Sequence, residues 1–163
     1  MLNGALTIGT LDGANIEIRE ECGEENIYTF GFTVEQVQQR RKYGYRPSDD
    51  LKNNELALAI EQIRNGYYSS DDPTRFHDLI DLLINRGDYY MILGDYQSYI
   101  NKQEEVARDF LQPDIWFSKC VHNIAAAAKF SSDRTIEEYA KDIWHCTLHK
   151  NGRSNQIQDT LHP

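Results

Sequence analysis

The apolar positions of the chain change period once, near Gly31. Before it, from Leu2 to Phe32, two short apolar runs rich in β-branched and aromatic residues flank a segment with helical spacing. Ala5-Leu6-Thr7-Ile8-Gly9 predicts a strand over Leu6–Gly9, and Asn26-Ile27-Tyr28-Thr29-Phe30 predicts another over Ile27–Phe30. Between them Thr10-Leu11-Asp12-Gly13 is a turn that opens a helix over Ala14–Glu21, with Asp12 as its N-cap and Gly23 in the left-handed position that ends it. Strand, helix and strand in that order make one βαβ unit, so the two strands are expected to be parallel and adjacent. A parallel pair needs cover on both faces and a continuing sheet. Leu6, Ile8, Ile27 and Phe30 are therefore expected to keep apolar surface exposed, and the pair reads as the end of a larger sheet.

After Gly31 the apolar positions recur at helical spacing. Thr33 and Gln36 form a capping box opening a helix to about Tyr43, and Gly44-Tyr45-Arg46-Pro47 breaks it. Asn53 or Asn54 caps a helix through Arg64, with Leu56, Ala59, Ile60 and Ile63 on one face and Gly66 beyond its end. Asp72-Pro73 predicts the start of a helix reaching Gly87, whose buried stripe is Phe76, Leu79, Ile80, Leu83 and Ile84. Tyr89 to Leu93 fits a short extended piece or a helical turn, and Asp95 is expected to cap the helix that follows as far as Leu111. Pro113 opens the next, with Trp116, Phe117, Cys120, Val121, Ile124 and Ala128 facing inward. Ser131 or Ser132 caps a last one carrying Ile136, Tyr139, Ala140 and Ile143. The expectation is a mostly α-helical chain of about six helices with one βαβ unit. Beyond Trp144 periodicity is lost, and disorder is expected from about Asn151.

Composition narrows the classes of function. With 40% hydrophobic and 26% charged residues the 163-residue chain is of globular type. Its formal charge of −9 argues against nucleic acid, which demands clustered Lys and Arg. The longest apolar run, Asn123 to Ala128, is far too short to span a bilayer, and no membrane partner is expected. Three cysteines at irregular spacing, Cys22, Cys120 and Cys146, favour free thiols and a reducing, cytoplasmic compartment.

Few residues form a pattern that carries chemistry. Thr10-Leu11-Asp12-Gly13 lies where strand ends meet a helix start, a place that suits a phosphate or hydroxyl. The spacing Gly9-x-x-x-Gly13 is not the dinucleotide fingerprint, however, and Asp12 repels phosphate, so capping weighs more than ligand contact. His145-Cys146-x-x-His149 offers three metal ligands without a fourth, in a segment expected to be tail, so no metal site is assigned. His77 and His122 stand alone and read as structural. The pairs Tyr67-Tyr68 and Tyr89-Tyr90 suit sugar stacking but suit packing between helices better. Ser69-Ser70-Asp71-Asp72 and Ser131-Ser132-Asp133 read as capping clusters before phosphate sites. No nucleophilic or paired-carboxylate constellation is visible, and no catalytic residue is assigned.

Two stretches carry a family resemblance. Leu2 to Glu17, LNGALTIGTLDGANIE, closely resembles the segment of glycogen (α-glucan) phosphorylases that follows their cofactor-bearing helix, and Lys129 to Trp144, KFSSDRTIEEYAKDIW, resembles the C-terminal signature of that family. ENIYTFG, NGYYSS and LGDYQSYI fall between them at similar spacings. The resemblance covers about residues 1–145. It implies an α/β fold, the C-terminal part of the second nucleotide-binding-like lobe of a two-lobed glycosyltransferase. It divides the chain into a terminal βαβ piece of the cofactor lobe (1–31), a helical part of the same lobe (32–145) and a tail (146–163).

It also implies transfer of glucosyl units from α-1,4-glucan ends to inorganic phosphate, giving glucose 1-phosphate, with pyridoxal phosphate held on a lysine as a Schiff base. That lysine lies in a Gly-Asn-Met-Lys-Phe run and would fall two positions before Met1. The resemblance therefore places no catalytic or cofactor-binding residue here. Lys42, Lys52, Lys102, Lys119, Lys129, Lys141 and Lys150 all lie outside the cofactor motif. Lys129 is expected to serve the end of the preceding helix. The partners implied are the missing N-terminal part of the phosphorylase, glycogen and phosphate, and a second copy in a homodimer. The alternative is a non-catalytic helical module that packs on a partner.

Overall fold

The computed structural model describes residues 1–146. Two strands pair in parallel, β1 (Ile8–Thr10) and β2 (Tyr28–Phe30), with Ile8 opposite Tyr28 and Thr10 opposite Phe30. They are joined by helix α1 (Ala14–Cys22) and a single 3-10 turn, Glu24–Asn26, which completes the βαβ unit. Both strands are shorter than the apolar runs, because Leu6 and Ile27 find no ladder partner among the described residues. Ile27 is 5% exposed, against the expectation that it keeps open surface, whereas Leu6, Ile8 and Phe30 are half-buried.

The helices follow as α2 (Val34–Lys42), α3 (Asn54–Arg64), α4 (His77–Ile84), α5 (Ile92–Phe110) and α6 (Pro113–Ala126). The capping box of α2 forms: the Gln36 N–H donates to the Thr33 hydroxyl and the Thr33 N–H donates to the Gln36 side chain. Asn53 caps α3 by accepting from the amides of Glu55 and Leu56. Leu56 and Ile60 of α3, Ile80 of α4 and Leu93 of α5 make one core cluster, with Ile63, Leu83 and Tyr96 packed against it.

Further expectations fail at Asp12, Asp72-Pro73, Asp95 and the face of α6, each for a physical reason. Asp12 is not the cap of α1; its carboxylate accepts from the Thr10 hydroxyl, and Gly13, at φ 48°, holds the cap position. Asp72-Pro73 does not begin α4. The Asp72 carboxylate accepts from the Thr74 amide and hydroxyl in a turn of its own, and α4 starts later, at His77. Asp95 is not the cap of α5, which begins at Ile92. Met91 holds the cap position, and the first amides of the helix are met by Asp88, 2% exposed, whose two oxygens accept from Ile92 and Leu93 at 3.0 and 2.8 Å.

The fourth failure concerns α6, where Phe117, Val121 and Ile124 are largely exposed and the fully buried residue is Asn123. The Asn123 side-chain amide donates to the carbonyls of Asn26 and Lys119, fastening α6 to the 3-10 turn before β2. A buried polar group that satisfies two carbonyls has fixed which side of the helix turns inward.

By its backbone contacts the chain divides into two units, one of residues 1–126 and one that begins at 127. The described part of the second has a 3-10 turn (Ala127–Phe130), helix α7 (Ser132–Glu138) and a π-helical turn (Tyr139–Ile143), in place of one continuous helix. Ser131 precedes α7 without a side-chain capping bond. The count among the described residues is thus seven α-helices and two strands. None of these helices is long and apolar enough to cross a membrane.

Candidate functional site

The carboxyl ends of β1 and β2 lie side by side, where an open parallel sheet takes its ligands. At the end of β1, Asn15 folds back from α1 and donates to the Thr10 carbonyl at 2.8 Å. At the end of β2 the chain turns at Gly31, whose amide donates to Ser98, and at Phe32, whose amide donates to Asp95 at 2.8 Å. A side chain at Gly31 would collide with the Asp95 carboxylate, so glycine is required for this approach. The residue read as a helix cap therefore fastens the first turns of α5 to the exit of β2.

A cavity of about 560 Å³ opens there, lined by Thr10, Asp12, Phe30, Asp95, Tyr96 and Tyr99 among others. Phe30 and Tyr99 meet edge to face at 5.1 Å. Sequence spacing could not reveal this site, because its wall is gathered from the β1 turn, the β2 exit, α2 and α5. Phe32 also carries the Arg40 guanidinium over its ring at 4.1 Å, and Arg40 reaches Asp50 at 3.7 Å. Behind it Tyr45 donates to Asp88 at 3.2 Å; burial pushes its phenol up, with Asp50 and Asp88 adding to the effect.

Burial likewise pushes the Asp95 carboxyl above its ordinary value, with the charges of Asp88 and Asp12 in the same direction and the Phe32 amide and Arg40 opposing. The folded protein therefore binds this proton more tightly than the unfolded chain does. The contribution to stability is full below the ordinary carboxylate value, about 4, and is lost as pH rises through the folded value. Asp95→Asn keeps an oxygen for the Phe32 amide and removes the charge. Its unfolding free energy, relative to the parent, is expected to rise as pH is raised from about 4. Urea midpoints measured across that range test this, and a constant difference would contradict it.

The other residues singled out from the sequence do not gather at this cavity, apart from Tyr90 on its rim. Tyr67-Tyr68 and Tyr89-Tyr90 each stack edge to face at 5.0 Å and are exposed, so they do not fill gaps between helices. His77 meets the Arg64 carbonyl and His122 the Ser118 carbonyl, both structural contacts. Ser69 is buried against Asp71. His145 contacts the Lys141 carbonyl, Cys146 is exposed, and His149 lies outside the described residues. Among the described residues no group of three His, Cys, Asp or Glu could hold a metal. All three cysteines are free, and burial pushes the Cys22 thiol up.

The fit to pyridoxal phosphate can be judged from the available cations. The cavity presents carboxylates where a phosphate needs donors. Lys119 lies over the Tyr28 ring, 3.5 Å from Asp109 and bonded to the Glu25 carbonyl, while Lys102 pairs with Glu105 at 2.6 Å. Lys42, Lys52 and Lys141 are on the surface, and Lys129 sits in the 3-10 turn before α7. Arg46 faces Asp49 at 3.3 Å. The cavity, walled by Asp12 and Asp95 with no cation in its lining, does not fit the phosphate of this cofactor.

Comparison with known proteins decides what the fold belongs to. Residues 1–146 match the family model for carbohydrate phosphorylase. The chain belongs to the carbohydrate phosphorylase family. It is 47% identical over 146 residues to the liver form of glycogen phosphorylase from Bos taurus, covering 89% of this chain and 17% of that protein. It is 48% identical over 144 residues to the glycogen phosphorylase of Haemophilus influenzae, covering 88% and 17%. This member of the family thus spans about a sixth of the length of the relatives it matches, 17% in each case. A mostly helical chain with one parallel two-stranded sheet is consistent with a part of that α/β fold.

Proposed function

We propose that this chain is part of a glycogen or α-glucan phosphorylase, which transfers glucosyl units from α-1,4-glucan ends to inorganic phosphate and so forms glucose 1-phosphate. The supporting observation is the match of residues 1–146 to the family, at 47% identity with a mammalian glycogen phosphorylase. In this reading residues 1–31 are the terminal βαβ piece of the cofactor lobe, residues 32–145 its helical remainder and residues 146–163 a tail. Pyridoxal phosphate is held by a lysine outside residues 1–163, so this chain supplies no catalytic, cofactor-binding or metal residue. Its part is to build the lobe. The exposed apolar strip of α6, Phe117, Val121 and Ile124, supports packing against the rest of the phosphorylase. The working protein is cytoplasmic and homodimeric in this reading, with glycogen and phosphate as its substrates.

A graft tests the proposal. Residues 1–146 replace the matching segment of the Haemophilus influenzae enzyme, and glucose 1-phosphate release from glycogen and phosphate is measured beside residues 1–163 alone. The graft is expected to be active and the isolated chain inactive. A folded, cofactor-loaded graft without activity, or release by the isolated chain, would contradict the reading.

A further inference from the structure

The cavity at the ends of β1 and β2 has a wall of aromatic, aliphatic and acidic side chains. Aromatic rings of Phe30, Tyr90, Tyr96 and Tyr99 stand with the carboxylates of Asp12 and Asp95, and no lysine, arginine or histidine contributes. Arg40 lies close by but outside the wall, over the ring of the lining residue Phe32 at 4.1 Å and within 3.7 Å of Asp50, and it offsets part of the Asp95 charge. The Asp95 carboxylate is pinned by the Phe32 amide and cannot swing out to water without breaking that bond. A half-buried negative charge in a wall that also holds aromatic side chains is therefore a fixed feature of the cavity, within a chain of formal charge −9.

We propose that this cavity binds a small organic cation, an amine or quaternary ammonium with an apolar body. Ring faces carry negative charge density and attract such a cation, most strongly where water is excluded. The half-buried Asp95 carboxylate adds Coulomb attraction that is stronger there than in bulk water, and the exposed Asp12 adds a weaker share. Both terms repel an anion, and neither favours a neutral ligand as such. The volume of about 560 Å³ lies in the range of small-molecule sites. The inference stands on the cavity alone and does not depend on the phosphorylase reading.

The test separates charge from shape. Residues 1–163 labelled with nitrogen-15 are titrated with choline chloride, and separately with 3,3-dimethylbutan-1-ol, its uncharged isostere, at constant ionic strength. Choline is expected to shift the amides of Thr10, Phe32 and Asp95 to saturation, with the isostere about tenfold weaker or worse. Asp12→Asn and Tyr90→Ala alter exposed side chains, so the fold should be retained, and each is expected to weaken choline binding about threefold. Equal affinity for choline and its isostere, shifts that never saturate, indifference to both substitutions, or saturation of the same amides by glucose or maltose instead of choline would each overturn the proposal.

Discussion

Replacing Asp88 by alanine is expected to lower the unfolding free energy of the chain by about 3–5 kcal/mol, the sum of two lost capping bonds in a buried place, a half-buried tyrosine hydroxyl deprived of one acceptor and a poorer backbone fit. Asp88 is 2% exposed and accepts three hydrogen bonds, from the Ile92 and Leu93 amides and from the Tyr45 hydroxyl. Its backbone has φ 42°, a conformation that aspartate and asparagine tolerate better than alanine does. Asp88→Asn should accordingly lose only about 1–2 kcal/mol, because one oxygen and the backbone preference survive. Urea unfolding of the three proteins gives the values. If the alanine variant were no less stable than the asparagine variant, Asp88 would not hold the start of α5.

Gly66→Ala should be comparably damaging, by about 2–5 kcal/mol, through two separable effects. Gly66 has φ 70°, and an added Cβ would lie 2.4 Å from the Pro73 Cα, which is backbone and cannot rotate away. Gly44 provides the control, since it has φ 83° with nothing within 4 Å of an added Cβ. Gly44→Ala should cost only about 1–2 kcal/mol, the backbone effect alone. Equal losses at the two positions would mean that the Pro73 contact contributes nothing.

The contact between Gly66 and Pro73 also explains why part of the fold could not be read from the sequence. The Asp72-Pro73 pair has the local chemistry of a helix start, but Pro73 is packed on the Gly66 backbone and Asp72 closes a turn with Thr74, so the helix begins only at His77. Where no rival local bond draws the capping side chain away, the reading succeeds: Thr33 with Gln36, and Asn53 with the next amides, make the expected caps. The parallel pair of strands was legible for the same reason, since its period and its helical crossover lie within one continuous stretch.

Where two candidate groups compete over a distance, the sequence is silent. Asp95 alone has the position of a cap in the sequence, but the β2 exit engages it, and Asp88 meets the first amides of α5 instead. On α6 the apolar period suggested an inward face, but Asn123 with its two carbonyl partners occupies the buried side. The cavity was the least legible feature. Thr10 and Asp12 lie in a turn whose sequence reads as capping before ligand contact, and the rings and the second carboxylate come from segments far along the chain.

The central claim is that this chain builds part of a phosphorylase without holding its cofactor. Incubation of residues 1–163 with pyridoxal phosphate, borohydride reduction and peptide mapping tests it most directly. The account predicts no stoichiometric label on any one of Lys42, Lys52, Lys102, Lys119, Lys129, Lys141 or Lys150. A single lysine carrying one phosphopyridoxyl group per chain would contradict it.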